Sequence, residues 1–121
     1  MIMQTITADN EYDYTYDIYT ITVKNHNRHG KTIELEEGVL LDLDENNIPF
    51  SIEILDTSKR LNIPKRKLIN ADAQMRVICK EDILKVTIQF YYIVHEKELT
   101  KTINSKIINN ENLPEMEVAS A

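Results

Sequence analysis

The chain has 121 residues, long enough for one domain with a core of its own. With 42% hydrophobic and 28% charged residues it reads as neither disordered nor membrane-embedded, and two glycines exclude a glycine-rich phosphate loop. One cysteine excludes an internal disulfide framework, and a net charge of −6 argues against a general nucleic-acid binder.

The opening MIMQTITADNEYD carries neither the basic flank nor the apolar run of an export signal. Nowhere do about 18 apolar residues run together, so a cytoplasmic protein that does not cross a membrane is expected. Cys79 then stays a reduced thiol, and its place in the alternating run MRVICK marks it as a buried structural cysteine. One strand is expected near residues 4–12 and another near 18–24, where Tyr19, Ile21 and Val23 alternate with Thr20 and Thr22. Tyr12, Tyr14 and Tyr16 hold the opposite parity, which requires a turn, and Asp13 and Asp17 bracket it. NHNRHGK then reads as a polar loop containing Gly30.

Residues 32–55 form the clearest hairpin. Val39, Leu41 and Leu43 alternate with Leu40, Asp42 and Asp44; past Glu45-Asn46-Asn47, Ile48, Phe50, Ile52 and Ile54 alternate with Pro49, Ser51 and Glu53. Pro49 lacks an N–H, so it is expected away from a ladder partner, on an edge. The segment DTSKRLNIPKRKLINADA offers Asp56, Thr57 and Ser58 as N-caps and Pro64 as a first helical residue. Short helical turns within 58–62 and 64–71 should pack Leu61, Ile63, Leu68 and Ile69 onto the sheet. Residues 74–108 read as a three-stranded antiparallel meander centred on ILKVTIQFYYIVHE. There Val86, Ile88, Phe90, Tyr92 and Val94 share one face and Lys85, Thr87, Gln89 and Tyr91 the other; Ile93 on the wet side implies partial cover. The end, NNENLPEMEVASA, has little to bury, and 109–121 is expected to be a flexible tail.

Four groupings bear on chemistry. Asp42, Asp44, Asn46 and Glu53 stand at calcium-loop steps one, three, five and twelve, but Asn47 replaces the usual glycine, Pro49 removes a backbone donor, and the flanks are strands. A hairpin turn is the plainer reading, with no metal expected. His26 and His29, with His95 at another turn, have the spacing for a shared metal but sit in soft loops. Asp13 with Asp17, and Asp42 with Asp44, could serve as acid–base pairs, which would need burial; at turns they read as caps. The basic run Lys59, Arg60, Lys65, Arg66 and Lys67 lacks interleaved aromatics, so it suits phosphate or acidic protein better than stacked bases.

Charge is divided along the chain. Residues 1–58 hold twelve acids and three bases, a net of −9; residues 59–121 hold eleven bases and eight acids, a net of +3. Either the halves attract each other within one fold, or the first half presents an acidic face to a basic partner.

The runs YDYTYDIYTI (12–21) and EEGVLLDLDENNIPFSIEILDTSKRL (36–61) resemble a prokaryotic family catalogued as domain of unknown function 2283. The family's tyrosine–aspartate turn and second aspartate are matched by Tyr12, Asp13 and Asp17. Its glycine-led strand, polar turn and isoleucine–leucine–aspartate strand end are matched by Gly38, Val39, Leu41, Asp42, Asp44, Glu53, Ile54, Leu55, Asp56 and Ser58. Members commonly carry a glycine in that turn and another before the final strand, where Asn47 and Phe50 or Ser51 stand here. The resemblance spans residues 8–61 and implies an ordinary β hairpin, no catalytic residue and no cofactor. It also implies a small member of a two-gene pair, with a partner encoded by an adjacent gene. Residues 62–121 look like an addition that extends the family sheet.

The expectation is a single α+β domain over 1–108, a mainly antiparallel sheet of about six strands with one short helical segment near 58–71. An all-β sandwich is the alternative. The expected role is a non-enzymatic protein-interaction or regulatory module using the acidic Asp42, Asp44, Glu45 and Glu53, the basic Lys59, Arg60, Lys65, Arg66 and Lys67, or a free strand edge. A small carboxylate- or metal-dependent enzyme and a self-associating structural subunit are the alternatives.

Overall fold

The period-two stretches of the sequence become ten strands, joined by two short helices, in a computed structural model that describes residues 2–120. Alternation is clearest where it is strongest in sequence: Val86, Ile88, Phe90 and Tyr92 are buried, while Lys85 is exposed and Thr87, Gln89 and Tyr91 are half-buried. Five strands make the N-terminal sheet: β2 (Ala8–Asp13), β3 (Ile18–Val23), β4 (His29–Glu36), β5 (Val39–Asp44) and β6 (Pro49–Ile54). Its order is β2-β3-β6-β5-β4, antiparallel throughout. The second sheet has the order β1-β10-β7-β8-β9, from β1 (Ile2–Ile6), β7 (Asp72–Lys80), β8 (Ile83–Val94), β9 (Lys97–Ile108) and β10 (Met116–Ser120). β7, β8 and β9 pair antiparallel in succession, and β1 joins β10 in parallel.

The two sheets share one core. Tyr19 of the first meets Phe90 of the second edge to face, ring centres 5.0 Å apart, and its hydroxyl donates to the Ala71 carbonyl at 2.7 Å. Ile21, Leu41, Leu43, Ile52 and Ile54 face Met75, Val77, Leu84, Ile88 and Val118 in the same apolar cluster. The crossing between the sheets holds α1 (Thr57–Leu61) and α2 (Lys65–Leu68), whose Leu61 and Leu68, with Ile63 between, are buried. The fold is therefore mostly β, two sheets with two short helices.

Several expectations are corrected. About six strands become ten. The strand placed at 4–12 is two, broken at Thr7: Ile6 points into the core from one sheet and Ala8 from the other, while the Thr7 carbonyl takes the Lys24 N–H at 2.9 Å. Residues 62–121 build a second sheet rather than extending the first, because the inner face of the N-terminal sheet is largely apolar and needs cover; Asn10 on that face donates to the Ala73 carbonyl of the second sheet at 3.0 Å. The tail is not free either: Met116 and Val118 are buried, and β10 is paired on both sides. Pro49 opens a central strand, not an edge; the ladder shifts register between Asp42 and Leu43, the kind of irregularity that tolerates proline at a first position. Gly30 lies in β4 instead of a loop, where an added Cβ would meet the Asp44 carbonyl oxygen at 2.5 Å. Ile69 and Ile93 are more than half exposed, so neither finds the cover expected of it.

Candidate interaction surface

The carboxylates singled out in the sequence go to opposite ends of the N-terminal sheet. Asp17, in the β2–β3 turn at φ 56°, reaches the start of α1. Its carboxylate accepts the Ser58 N–H at 2.9 Å, the Ser58 hydroxyl at 2.6 Å and the Tyr12 phenol at 2.7 Å. Asp56, at the N-cap position, makes no side-chain cap bond, so a residue from a distant turn does the capping. Burial pushes the Asp17 carboxyl up, but the two Ser58 donors, Tyr12 and nearby Lys65 outweigh it and hold its pKa below the usual value. Burial and the Asp17 carboxylate raise the Tyr12 phenol in turn. Asp13 is spent on the same turn, accepting the Tyr16 N–H at 3.0 Å.

Asp44 sits at the other end of β6, about 17 Å away by the rise of a strand. It is 4% exposed and its carboxylate caps the β5–β6 turn, accepting the Asn46 N–H at 2.8 Å and the Ile48 N–H at 3.0 Å. Asn47, at φ 62°, supplies the left-handed residue that a glycine would otherwise provide. Glu45 is exposed at the tip, while Asp42 and Glu53 are half-buried on the outer face. The calcium-loop steps are thus split between a turn cap and a sheet face. Among the described residues no group of three or more His, Cys, Asp or Glu is placed to hold a metal.

Register shows what Asp42 and Glu53 belong to. Partners in a ladder share a face, so two rows run across the outside of the N-terminal sheet. One is Glu11-Thr20-Glu53-Leu40-Glu34; the other is Asp9-Thr22-Ser51-Asp42-Thr32. Glu11, Glu53 and Glu34 stand two strands apart, about 10 Å each. Against these five carboxylates the described residues supply the ion pair of Lys24 to Asp9 at 3.4 Å, and the His29 ring stands 3.6 Å from the Asp42 carboxylate. Asp9, Glu11 and Glu34 escaped the sequence reading because they belong to strands whose pairing it did not have. The outer face of the second sheet mixes Arg76, Lys80, Lys85 and Lys106 with Asp72, Glu98 and Glu117.

The basic run is not one patch. Arg60 leans on the β4–β5 turn, 3.2 Å from Glu36 and donating to the Glu37 carbonyl, close enough that a Cβ on Gly38 (φ 82°) would lie 2.6 Å from its guanidinium. Lys65 donates to the Tyr14 carbonyl at 3.1 Å and lies over the Tyr14 ring. Lys59 and Arg66 are exposed, Lys67 half-buried. Arg60–Glu36 and Lys31–Glu111 tie the acidic half of the chain to the basic half.

His26 stacks on Phe50 with ring centres 4.1 Å apart, and His29 meets the same ring edge-on at 6.1 Å. His26 and Phe50, with Ile6, Asp44 and Val118, line a hollow of about 200 Å³ at the mouth of the core, below the roughly 300 Å³ where small-molecule pockets begin. His95 lies in the β8–β9 turn. Cys79 is buried, its thiol facing the Leu113 carbonyl at 3.8 Å and pushed up in pKa by burial and by Asp82 and Glu115, the setting of an inert structural cysteine. No helix among the described residues is long and apolar enough to cross a membrane.

Comparisons with known proteins fit this picture. The family described as "Protein of unknown function (DUF2283)" matches residues 10–58, which run from within β2 through the rest of the N-terminal sheet to the start of α1. The uncharacterized protein MJ0789 of Methanocaldococcus jannaschii is 32% identical over 110 residues, covering 89% of this chain and 93% of its own. A Methanosarcina mazei protein that carries the name "Putative hypoxanthine phosphoribosyltransferase" is 29% identical over 106 residues, covering 86% of this chain and 85% of its own. No solved structure matches. The chain belongs to the DUF2283 family of proteins of unknown function.

Proposed function

We propose that this protein is a non-enzymatic, cytoplasmic interaction module, an all-β sandwich that presents the acidic outer face of its N-terminal sheet to a basic protein. The observation that carries the reading is the row Glu11, Glu53 and Glu34, backed by Asp9 and Asp42, on a rigid sheet. Carboxylates gathered on one face with few basic neighbours leave a net negative field, which attracts a positively charged surface. The separation of Asp17 from Asp44 also supports a binding role over a carboxylate-pair enzyme, which would need those carboxylates to converge. A partner encoded by an adjacent gene suits a small module of this kind.

The name carried by the Methanosarcina relative would bring a purine and a phosphoribosyl donor. A common phosphate cradle is a glycine-rich loop that opens a helix, and here Gly30 and Gly38 lie in a strand and a strand–strand turn. No arrangement among the described residues favours that reading.

The test is capture from native lysate on the immobilised full chain, eluted by rising salt. A basic protein should elute at moderate salt and should not be retained by the Glu34→Lys/Glu53→Lys variant. A column that holds only the bait at low salt, or retention indifferent to both substitutions, overturns the proposal.

A further inference from the structure

β9 is the edge of the second sheet, twelve residues long, and pairs with β8 over its whole length without a register shift. The other edges are short or irregular: β1 has five residues, β2 six, and β4 carries two register shifts. Bulges, short length and edge charges, lysines above all, usually keep an edge from pairing with another chain; β9 has neither of the first two, and its Lys97, Lys101 and Lys106 leave pairing open only to a strand that answers their charge.

The hairpin turn decides which of its backbone groups are free. His95 and Glu96 form a two-residue loop, both at positive φ, as a turn of mirror-image type requires. Val94 and Lys97 therefore close the ladder as a hydrogen-bonded pair, and odd-numbered residues of β9 bond to β8. The Asn109 N–H, bonded to the Asp82 carbonyl at 2.8 Å, continues that parity. The even-numbered residues from Glu98 to Lys106 thus turn their N–H and C=O groups away from β8, toward the open edge.

A second copy of β9 would pair there through its own even residues, and that register sets opposite charges face to face. We infer that the occupant is a second copy of this chain, its β9 antiparallel to the first about a two-fold axis through Thr102. In that register Thr102 faces Thr102, Thr100 faces Asn104, and Glu98 faces Lys106 twice over by symmetry. Moving the axis by one residue either way places Glu98 opposite Asn104 or Ile108 and loses both ion pairs.

Side chains within one copy leave these charges wanting. Lys106 lies directly opposite Lys85 and Glu98 opposite Ile93. Like charges face to face are unfavourable in a ladder. Neither Glu98 nor Lys106 has an ion-pair partner among the described residues. The Glu98 carboxylate of a second copy sets an opposite charge on the open side of Lys106. On the other face Leu99, 42% exposed in one copy, would lie opposite Ser105 and between Ile103 and Ile107 of the other, which gives it apolar neighbours. The assembly is isologous and closed, ending at two copies.

Sedimentation of the full chain should show a dimer. Glu98→Lys and Lys106→Glu should each weaken it about tenfold or more, since each puts like charges at both symmetric sites. The double exchange should restore it. Because Thr102 faces itself at about 5.5 Å between Cα atoms, Thr102→Cys should form an intermolecular disulfide in mild oxidant and Thr100→Cys should not. All these positions are exposed, and an unchanged circular dichroism spectrum confirms the fold. A monomer at the highest attainable concentration overturns the inference, as does a dimer that ignores both charge reversals. Glu34→Lys/Glu53→Lys should leave the dimer intact, which separates it from partner binding at the acidic face.

Discussion

The carboxylate of Asp17 receives a phenol, a hydroxyl and a backbone N–H, and the last two come from Ser58, forty-one residues on. Hydrogen bonds to a charged group contribute more than neutral ones, so Asp17→Asn should cost about 2–3 kcal/mol of stability at neutral pH. The asparagine amide would also set a donor against donors. Because the folded pKa lies below the unfolded one, this contribution is fully present above the ordinary carboxyl value of about 3.9 and is lost as pH falls through the lowered folded value. Urea unfolding of both proteins should therefore show a gap that is wide at neutral pH and narrows in acid below that range. A gap of constant width would mean that shape, not charge, holds the α1 cap. In sequence Asp17 was legible as a turn residue; its second task was not, because Ser58 lies in another element and only the fold brings them together.

At the scale of elements, long periodic runs were readable and short ones were not. β8 declares itself through five alternating apolar residues, and the β5–β6 hairpin through two matched runs. β10 has only Met116 and Val118 to bury, too few to show a period, and its acidic, asparagine-rich approach resembles a frayed end. Its order comes from neighbours: it fills the gap between β1 and β7 and pairs with both. Among the described strands β1 pairs with β10 alone, so removing residues 115–121 should strip two strands from the sheet and uncover Val77 and Cys79 of β7. Loss of dispersed amide resonances is the expected outcome; a spectrum that keeps its dispersion would return β10 to the status of a tail. The milder Met116→Ala should cost about 2–5 kcal/mol, as deletions of a fully buried methionine do.

The whole molecule depends on one interface between its sheets. The family match ends at residue 58, where the chain has completed a sheet with an apolar inner face and a charged outer one. Tyr19, Ile21, Leu41, Leu43, Ile52 and Ile54 are each 1% exposed or less, and much of what covers them comes from beyond the family match. The charge division of the sequence follows the same boundary, since its acidic half supplies the outer carboxylates of the first sheet and its basic half most of the second. A fragment of residues 1–61 would keep every strand of the first sheet but leave its inner face in water, an apolar patch larger than monomers ordinarily expose. It would also strand β1, whose partner lies at the other end of the chain. Alone, the fragment should bind a dye such as ANS strongly and associate or unfold, and adding residues 62–121 as a separate peptide should quench that binding. The full chain, with a core common to both sheets, should lose near-UV and far-UV signals at one denaturant midpoint. Two separated midpoints, or a fragment that stays monomeric and binds no dye, would mean that the sheets are independent units and that the second one covers nothing the first requires.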